Sequence, residues 1–203
     1  KTTELRASKI GSECFRLWKA CDAQVGDDFH INPEEIEKKY FGVLTKLFNV
    51  ARFASFFEVP DDLDSEPENL SCEDKWILAE FSNVLHTVQG AWETLDIYTA
   101  TQSIKNFGTG ILPSHWLEMA KSRLYAGDTN AAWTIHRVVR DLMGIFSPVC
   151  PFFTHYVTDS IYGMSAVDLR EYPNMPVHSL SHMSDENLKY CDLTDAIVEF
   201  NSS

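Results

Sequence analysis

The chain has 203 residues, 44% of them hydrophobic and 12% aromatic, which suits one domain of ordinary size and excludes a wholly disordered chain. Its 17 lysine and arginine residues face 30 aspartate and glutamate residues, a net charge of −13, so any nucleic-acid site must be a local basic face. No run of about 18 apolar residues is present, which predicts that no segment crosses a membrane.

The start of the chain predicts a fragment boundary, because KTTEL contains neither an initiator methionine nor the apolar core of a signal peptide. The cysteines are scattered and odd in number, and no two form a C-x-x-C pair. This pattern predicts free thiols in a reducing cytoplasm rather than a zinc site or a disulfide framework. They are Cys14, Cys21, Cys72, Cys150 and Cys191.

The first long helix is predicted from Pro33 to about Phe57. Asn32 is a suitable N-cap, Pro33 fits the first helical position, and the acids that follow suit the positive end of the helix dipole. Apolar residues then recur at three- and four-residue steps, at Ile36, Tyr40, Val43, Leu44, Leu47, Ala51 and Ala54. A cluster of acids between residues 61 and 68 follows and predicts an exposed loop.

Two more helices are predicted in the middle of the chain. Ser71 opens a capping-box sequence, which predicts a helix over residues 75–94. The next helix should cover residues 97–125, with a break or kink midway. Glycine and proline are responsible for that break, at Gly108, Gly110 and Pro113.

Gly127 predicts the end of one helix, and Asp128 predicts the N-cap of the next. That helix should run to Phe146 with a continuous apolar stripe, and the next should start at Pro151 and reach about residue 161. Beyond it the sequence is irregular, and Ser184 caps a last short amphipathic stretch. The pattern as a whole predicts an all-α fold, a bundle of four to five main helices with short pieces at both ends.

Catalytic and metal-binding motifs are weak. His115 and Glu118 lie three apart on one helix face, but a di-iron bundle needs two such pairs in the opposite order. His178 and His182 lack the glutamate of a zincin motif. No glycine-rich nucleotide motif is present either, so we expect no catalytic residue, metal or cofactor in this chain.

The helix from Pro33 to Phe57 also predicts a binding face. Opposite its apolar side lie Lys38, Lys39, Gly42, Lys46, Asn49, Arg52 and Phe53. Cations neutralise phosphates, an amide reads base edges and an aromatic ring stacks on an unpaired base. An ordinary solvated helix face has the same pattern, so both interpretations remain open here. A second basic group, Lys121 and Arg123, lies beside His115 and Trp116 in the sequence. Both interpretations apply to it as well, and Trp116 is more often a core residue than a stacking surface.

Several segments, in order, resemble one family of enzymes. Residues 11–18 (GSECFRLW) resemble the G-A-D-A-L-R-x-W segment of class I aminoacyl-tRNA synthetases, with Ser12, Glu13 and Cys14 as departures. Residues 25–29, 46–53 and 74–78 are similar to G-x-D-I-x-F, K-L-x-N-x-x-R-F and D-x-W-I-L. Residues 114–125 and 147–154 are similar to H-Y-I-E-x-x-K-x-R-x-Y and x-P-x-x-P-F-x-T. The resemblance covers residues 11–175 and favours archaeal-type valyl-tRNA synthetases, although His155 and Asp168 depart from it.

The resemblance implies the anticodon-binding domain of such a synthetase, with tRNA as partner and the missing catalytic domain as neighbour. The parent would use ATP and Mg²⁺ at sites outside this chain, which would catalyse nothing alone. It also implies the tRNA contacts Lys39, Lys46, Asn49, Arg52, Phe53, His115, Lys121 and Arg123, with Arg16 near the inner stem. Residues 1–25 would join the catalytic domain, 26–168 form the bundle, and 169–203 begin a C-terminal extension.

Alternatives differ in what they require. An isoleucyl enzyme would more often carry W-Y-x-R-R in place of the segment at 115–125, and a structural or protein-interaction bundle would suit the acidity. A metal-dependent bundle enzyme would require bound metal. A shared RNA site requires the helices that carry Lys46 and Lys121 to be neighbours.

Overall fold

The computed structural model describes residues 11–22, 32–165 and 168, and every regular element within them is helical. The elements are α1 (Ser12–Cys21), α2 (Pro33–Ala54), α3 (Cys72–Glu93), α4 (Ile97–Asn106), a π segment (Phe107–Trp116), α5 (Leu117–Tyr125), α6 (Thr129–Phe146) and α7 (Pro151–Tyr162). Because α4, the π segment and α5 are continuous, the described part contains five main helices and the short α1. The predicted all-α bundle is therefore confirmed.

Helix α6 is the centre of the bundle. It packs against α2, α3, α4, α5 and α7. Its predicted apolar stripe is buried, and so are several polar residues on the other side of the helix, among them His136, Arg137 and Asp141. Because both sides of α6 are buried, these polar groups need hydrogen-bond partners inside the protein.

The side-chain caps stand at the predicted residues, although α3 begins at Cys72 rather than at the predicted residue 75. The Asn32 side chain accepts a hydrogen bond from Glu34 N at 3.2 Å, and the Ser71 hydroxyl accepts one from Asp74 N at 3.3 Å. Asp128 accepts from two backbone amides of α6, after Gly127 at φ 81°. Each cap satisfies an amide that the first helical turn leaves unpaired.

The end of α2 differs from the prediction, since the helix stops at Ala54 rather than near Phe57. Phe56 N and Phe57 N bond to carbonyls three residues back, and the Ser55 hydroxyl donates to the Arg52 carbonyl at 2.8 Å. The carbonyl of Phe57 instead lies 3.2 Å from Nε2 of His136 on α6. Tertiary bonding to α6 therefore ends the helix before the sequence pattern does.

The break or kink predicted within residues 97–125 takes the form of a π segment at the predicted position, and the helical rod is not broken. The chain continues as a π segment through Gly108, Gly110 and Pro113, with no interruption between α4 and α5. A π turn is wider than an α turn, and proline destabilises an α-helix by clashing with the carbonyl four residues earlier. The wider turn accommodates Pro113 and lets the rod continue.

Gly108 accounts for the close packing of this segment. A Cβ at this position would lie 2.5 Å from Cδ2 of Leu47 and 3.0 Å from Cδ2 of Leu142, and both leucines are buried. Substituting Gly108→Ala should therefore lower the free energy of unfolding by about 1–2 kcal/mol, since overpacking exceeds the gain in helix propensity. Gly110→Ala is the matched control, because a Cβ there meets nothing within 4 Å. Urea denaturation of both variants checks this, and equal stabilities would contradict it.

Helix α1 was not predicted as a helix of its own. Arg16 attaches it to the turn between α6 and α7, donating from Nε to the Val149 carbonyl at 2.8 Å and from Nη2 to the Pro148 carbonyl at 3.0 Å. The Glu13 carboxylate accepts from Phe153 N at the start of α7 at 3.3 Å. The predicted boundary at residue 25, the C-terminal extension from 169, and Cys191, His178, His182 and Ser184 lie outside the described residues.

Candidate nucleic-acid interface

The predicted basic face of α2 is open to solvent. We call it the basic strip and define it as Lys38, Lys39, Gly42, Lys46, Asn49 and Arg52, all of which are exposed. Residues 38–57 contain four cations and no aspartate or glutamate, in a chain whose net charge is −13. Local positive charge on an acidic protein is the arrangement that a phosphate-binding site requires.

Among the described residues, three of the four cations of the strip, Lys38, Lys46 and Arg52, have no carboxylate partner. Within the described residues, neither Lys46 nor Arg52 has a carboxylate oxygen within 4.0 Å of its charged nitrogen atoms. Lys39 differs, because its Nζ lies 2.7 Å from Asp22 at the end of α1. Burial alone would raise the pKa of Asp22, but the hydrogen bond and charge of Lys39 lower it below its ordinary value. Lys46 and Arg52 are thus available to a phosphate, whereas Lys39 is shared with Asp22.

Next to the strip lies an aromatic cluster, defined as Phe53, Phe56, Phe57 and Tyr125, in which Phe53 and Phe57 are half-buried. The Phe53 ring is 5.2 Å from Phe57 and 6.1 Å from Tyr125 between centroids, with edge-to-face geometry in both pairs. Tyr125 is 71% exposed and Phe56 65% exposed. Sequence reasoning found Phe53 and missed the other members, although Tyr125 closes the K-x-R-x-Y segment.

The contact between Phe53 and Tyr125 makes α2 and the end of α5 neighbours. Lys121 lies one helical turn before Tyr125 and therefore on the same side of α5. It is 43% exposed and forms an ion pair with Glu118 on its own helix. His115 is half-buried at the end of the π segment. The two helices therefore meet near their C-terminal ends, through this aromatic contact, and Lys121 is already paired with a carboxylate.

Arg123, predicted as a phosphate contact, has its guanidinium engaged by partners within the protein. Its guanidinium donates to both carboxylate oxygens of Asp74, to the Ser71 hydroxyl at 2.6 Å and to Asp128 at 2.9 Å. Asp74 is fully buried. These bonds tie α5 to the starts of α3 and α6, so Arg123 has a structural role and is left out of the interface.

Two other residues discussed from the sequence are structural as well. Trp116 is fully buried and donates from Nε1 to Asp74 at 3.2 Å, so it belongs to the core, as its residue type favours. Arg16, considered for the inner stem, bonds to the carbonyls of residues 148 and 149.

His136 on α6 contacts the aromatic cluster and Tyr162 through its two ring nitrogens. Its Nε2 lies 3.2 Å from the Phe57 carbonyl and its Nδ1 lies 3.2 Å from the Tyr162 hydroxyl. Burial lowers the pKa of His136, which favours the neutral ring. The imidazole therefore acts as a fixed hydrogen-bonding group beneath Phe57.

Over the described residues, no three histidine, cysteine, aspartate or glutamate side chains come together in a way that could hold a metal ion. The helices of that same part of the chain are all too short or too polar to cross a membrane. Cys14, Cys21, Cys72 and Cys150 are free thiols, as the sequence predicts.

Comparison with known proteins identifies the family. Residues 74–203 match the family model described as the anticodon-binding domain of tRNA ligase. The chain belongs to this family. The match includes α3 to α7, and the basic strip on α2 precedes it.

Similar proteins extend the likeness to the strip. The valine–tRNA ligase of Saccharolobus solfataricus is 30% identical over 198 residues, which cover 97% of this chain and 22% of that protein. The valine–tRNA ligase of Aeropyrum pernix is 31% identical over 175 residues, covering 82% of this chain and 21% of that protein. This anticodon-binding domain thus spans about a fifth of the length of the relatives it matches, which are archaeal enzymes of the valyl type that the sequence resembles.

Proposed function

We propose that this chain is the anticodon-binding part of a valine–tRNA ligase and that its basic strip binds the anticodon stem-loop of a valine tRNA. The observation that carries the proposal is the exposure of Lys46, Asn49 and Arg52, with both cations free of carboxylates in the described residues, beside an aromatic cluster. Unpaired nucleotides need this combination, since phosphates require cations and splayed bases require flat rings.

The proposed contacts should contribute unequally to the affinity for RNA. Lys46 and Arg52 bind phosphates, Asn49 bonds to a base edge, and Phe53 with Tyr125 stacks on a base. Lys39 and Lys121 would first have to share or leave Asp22 and Glu118, so each contributes less. His115 is a secondary contact because it is half-buried.

The reaction of a complete ligase requires more than this chain. By analogy with the relatives, the adjoining catalytic part would join valine to tRNA with ATP and Mg²⁺ in the cytoplasm, and the present chain would have no activity alone. Tethering to that part raises the effective concentration of the RNA, so the isolated domain should bind modestly.

Salt dependence tests the proposal. Each phosphate contact contributes about 0.7–0.9 to the slope of log affinity against log salt. Arg52→Ala and Lys46→Ala should each weaken binding to an RNA hairpin that carries the anticodon stem and loop of a valine tRNA. Each substitution should also reduce the magnitude of the slope by about 0.7–0.9, which is the contribution of one phosphate contact. Fluorescence anisotropy at several salt concentrations measures both quantities.

The matched control is Lys105→Ala on α4, a helix that packs on α1 and α3. This variant removes the same charge from the chain but should leave the slope unchanged. Equal losses in all three variants would show that only net charge matters. Unchanged binding in Arg52→Ala and Lys46→Ala would reject the strip as the RNA site and favour a structural or protein-interaction bundle.

A further inference from the structure

A second aromatic surface borders the basic strip along the edge opposite to the aromatic cluster. We call it the α2–α7 patch and define it as Phe41, Phe48, Phe152 and Tyr156. Phe41 is 64% exposed, Phe152 70% and Tyr156 62%, while Phe48 is partly buried. The rings of Phe48 and Tyr156 are inclined by only 22°, with centroids 6.5 Å apart. Phe152 and Tyr156 are one turn apart on α7 and so lie on the same face.

The patch is continuous with the basic strip. Phe48 precedes Arg52 by one helical turn, so the two side chains are neighbours on α2. The next residue, Phe53, belongs to the aromatic cluster with Tyr125. Arg52 therefore has an aromatic pair on each side, Phe48 with Tyr156 and Phe53 with Tyr125.

We propose that RNA held by the basic strip continues across the α2–α7 patch, where Tyr156 and Phe152 stack on unpaired bases. The proposal rests on the function proposed above and adds α7 to the RNA site. Proteins that bind single strands combine a positively charged track with aromatic side chains on which successive bases stack. Here Arg52 supplies charge to the track, and α7 supplies the second stacking platform.

Composition favours RNA over a protein partner at this patch. Its exposed large apolar side chains are all aromatic, and residues 38–57 beside them carry cations and no acid. The most exposed aliphatic side chains, Leu95 and Ile97, lie at the turn between α3 and α4, and the less exposed Val59 lies in the loop after α2. Acids lie at both ends of the patch and limit the RNA path: Glu37 is one turn before Phe41 on α2, and Asp159 is one turn beyond Tyr156 on α7.

Binding of the RNA hairpin described above tests the proposal in the full chain. Tyr156→Ala should weaken binding by roughly 5- to 150-fold, the range for loss of one base–aromatic stack, without changing the salt slope. Phe152→Ala should act in the same direction. Tyr156→Phe should bind like the parent chain, since the ring is kept. Because Tyr156 is largely exposed, the Ala variant should fold, which circular dichroism checks.

Leu95→Ala is the control for loss of an exposed apolar side chain, because Leu95 is 80% exposed and lies at the α3–α4 turn. It should bind the hairpin normally. Normal binding in Tyr156→Ala, with weaker binding in Arg52→Ala, would overturn the role of the patch and leave the proposed function standing. Normal binding in both variants would overturn both. Normal RNA binding by Tyr156→Ala with loss of docking to a ligase catalytic part would identify a protein surface and also overturn the proposal.

Discussion

Replacing Arg123 with alanine should lower the free energy of unfolding by about 3–5 kcal/mol, because it leaves a buried carboxylate without its cation. Asp74 is fully buried and would keep Trp116 Nε1 as a donor, at 3.2 Å. The same substitution also removes the bonds to Ser71 and Asp128, which hold the starts of α3 and α6. Denaturation by urea, followed by circular dichroism, measures the loss.

The affinity of the folded Arg123→Ala protein for RNA should change little, which separates a structural residue from a phosphate contact. Lys121→Ala is the matched control on the same helix. Its ion pair with Glu118 is half-exposed, so stability should fall by less than about 1 kcal/mol. If Arg123→Ala kept full stability and lost RNA binding, the structural assignment of Arg123 would be wrong.

A second large loss is expected from Asp141→Ala on α6. The Asp141 carboxylate is buried and accepts from Arg137 Nε and, at 3.0 Å, from Arg140 Nε. Arg137 is also buried. Without Asp141, the main hydrogen-bond acceptor left for its guanidinium would be the Leu63 carbonyl, at 2.7 Å. Asp64 would remain 3.7 Å away but is largely exposed, and removing the buried partner of such a pair costs about 3–5 kcal/mol.

Asp64→Ala provides the control for this prediction, since Asp64 pairs with the same two arginines from the surface. Its side chain is 83% exposed and lies 2.7 Å from Arg140 and 3.7 Å from Arg137. Its loss should therefore reduce stability by less than about 1 kcal/mol. Equal losses in Asp64→Ala and Asp141→Ala would mean that the loop contact, rather than the buried pair, stabilises α6.

The acidic loop illustrates how a correct prediction was incomplete. Residues 61–68 expose their acids as the composition suggests, but Leu63 is buried and packs with Leu70 and Trp133. Trp133 Nε1 donates to the Asp62 carbonyl at 3.0 Å. An exposed run of acids is visible in a sequence, whereas a single buried leucine among them depends on α6, more than sixty residues later.

Helix positions were predictable because their signals are local. Asn32, Ser71 and Asp128 cap their helices within three residues, and the apolar spacing of α2 repeats every turn. The same periodicity placed Lys46, Asn49 and Arg52 on the exposed side. The end of α2 was predicted too late because His136, which bonds to the Phe57 carbonyl, is distant in sequence. Glycine and proline predicted an irregularity in the next rod, but they do not show that it takes the π form.

Lys121 and Arg123 show which part of the binding site could not be predicted from the sequence. Two residues apart on one helix and both basic, they received the same predicted role. Arg123 meets Asp74, 49 residues away, while Lys121 pairs with Glu118 only three residues away. The sequence by itself determined the helices, their caps and the exposed basic strip, because these depend on neighbours within one or two turns. Only the tertiary structure decided which cations remain free and which aromatic rings flank them, because distant carboxylates and helix packing control both.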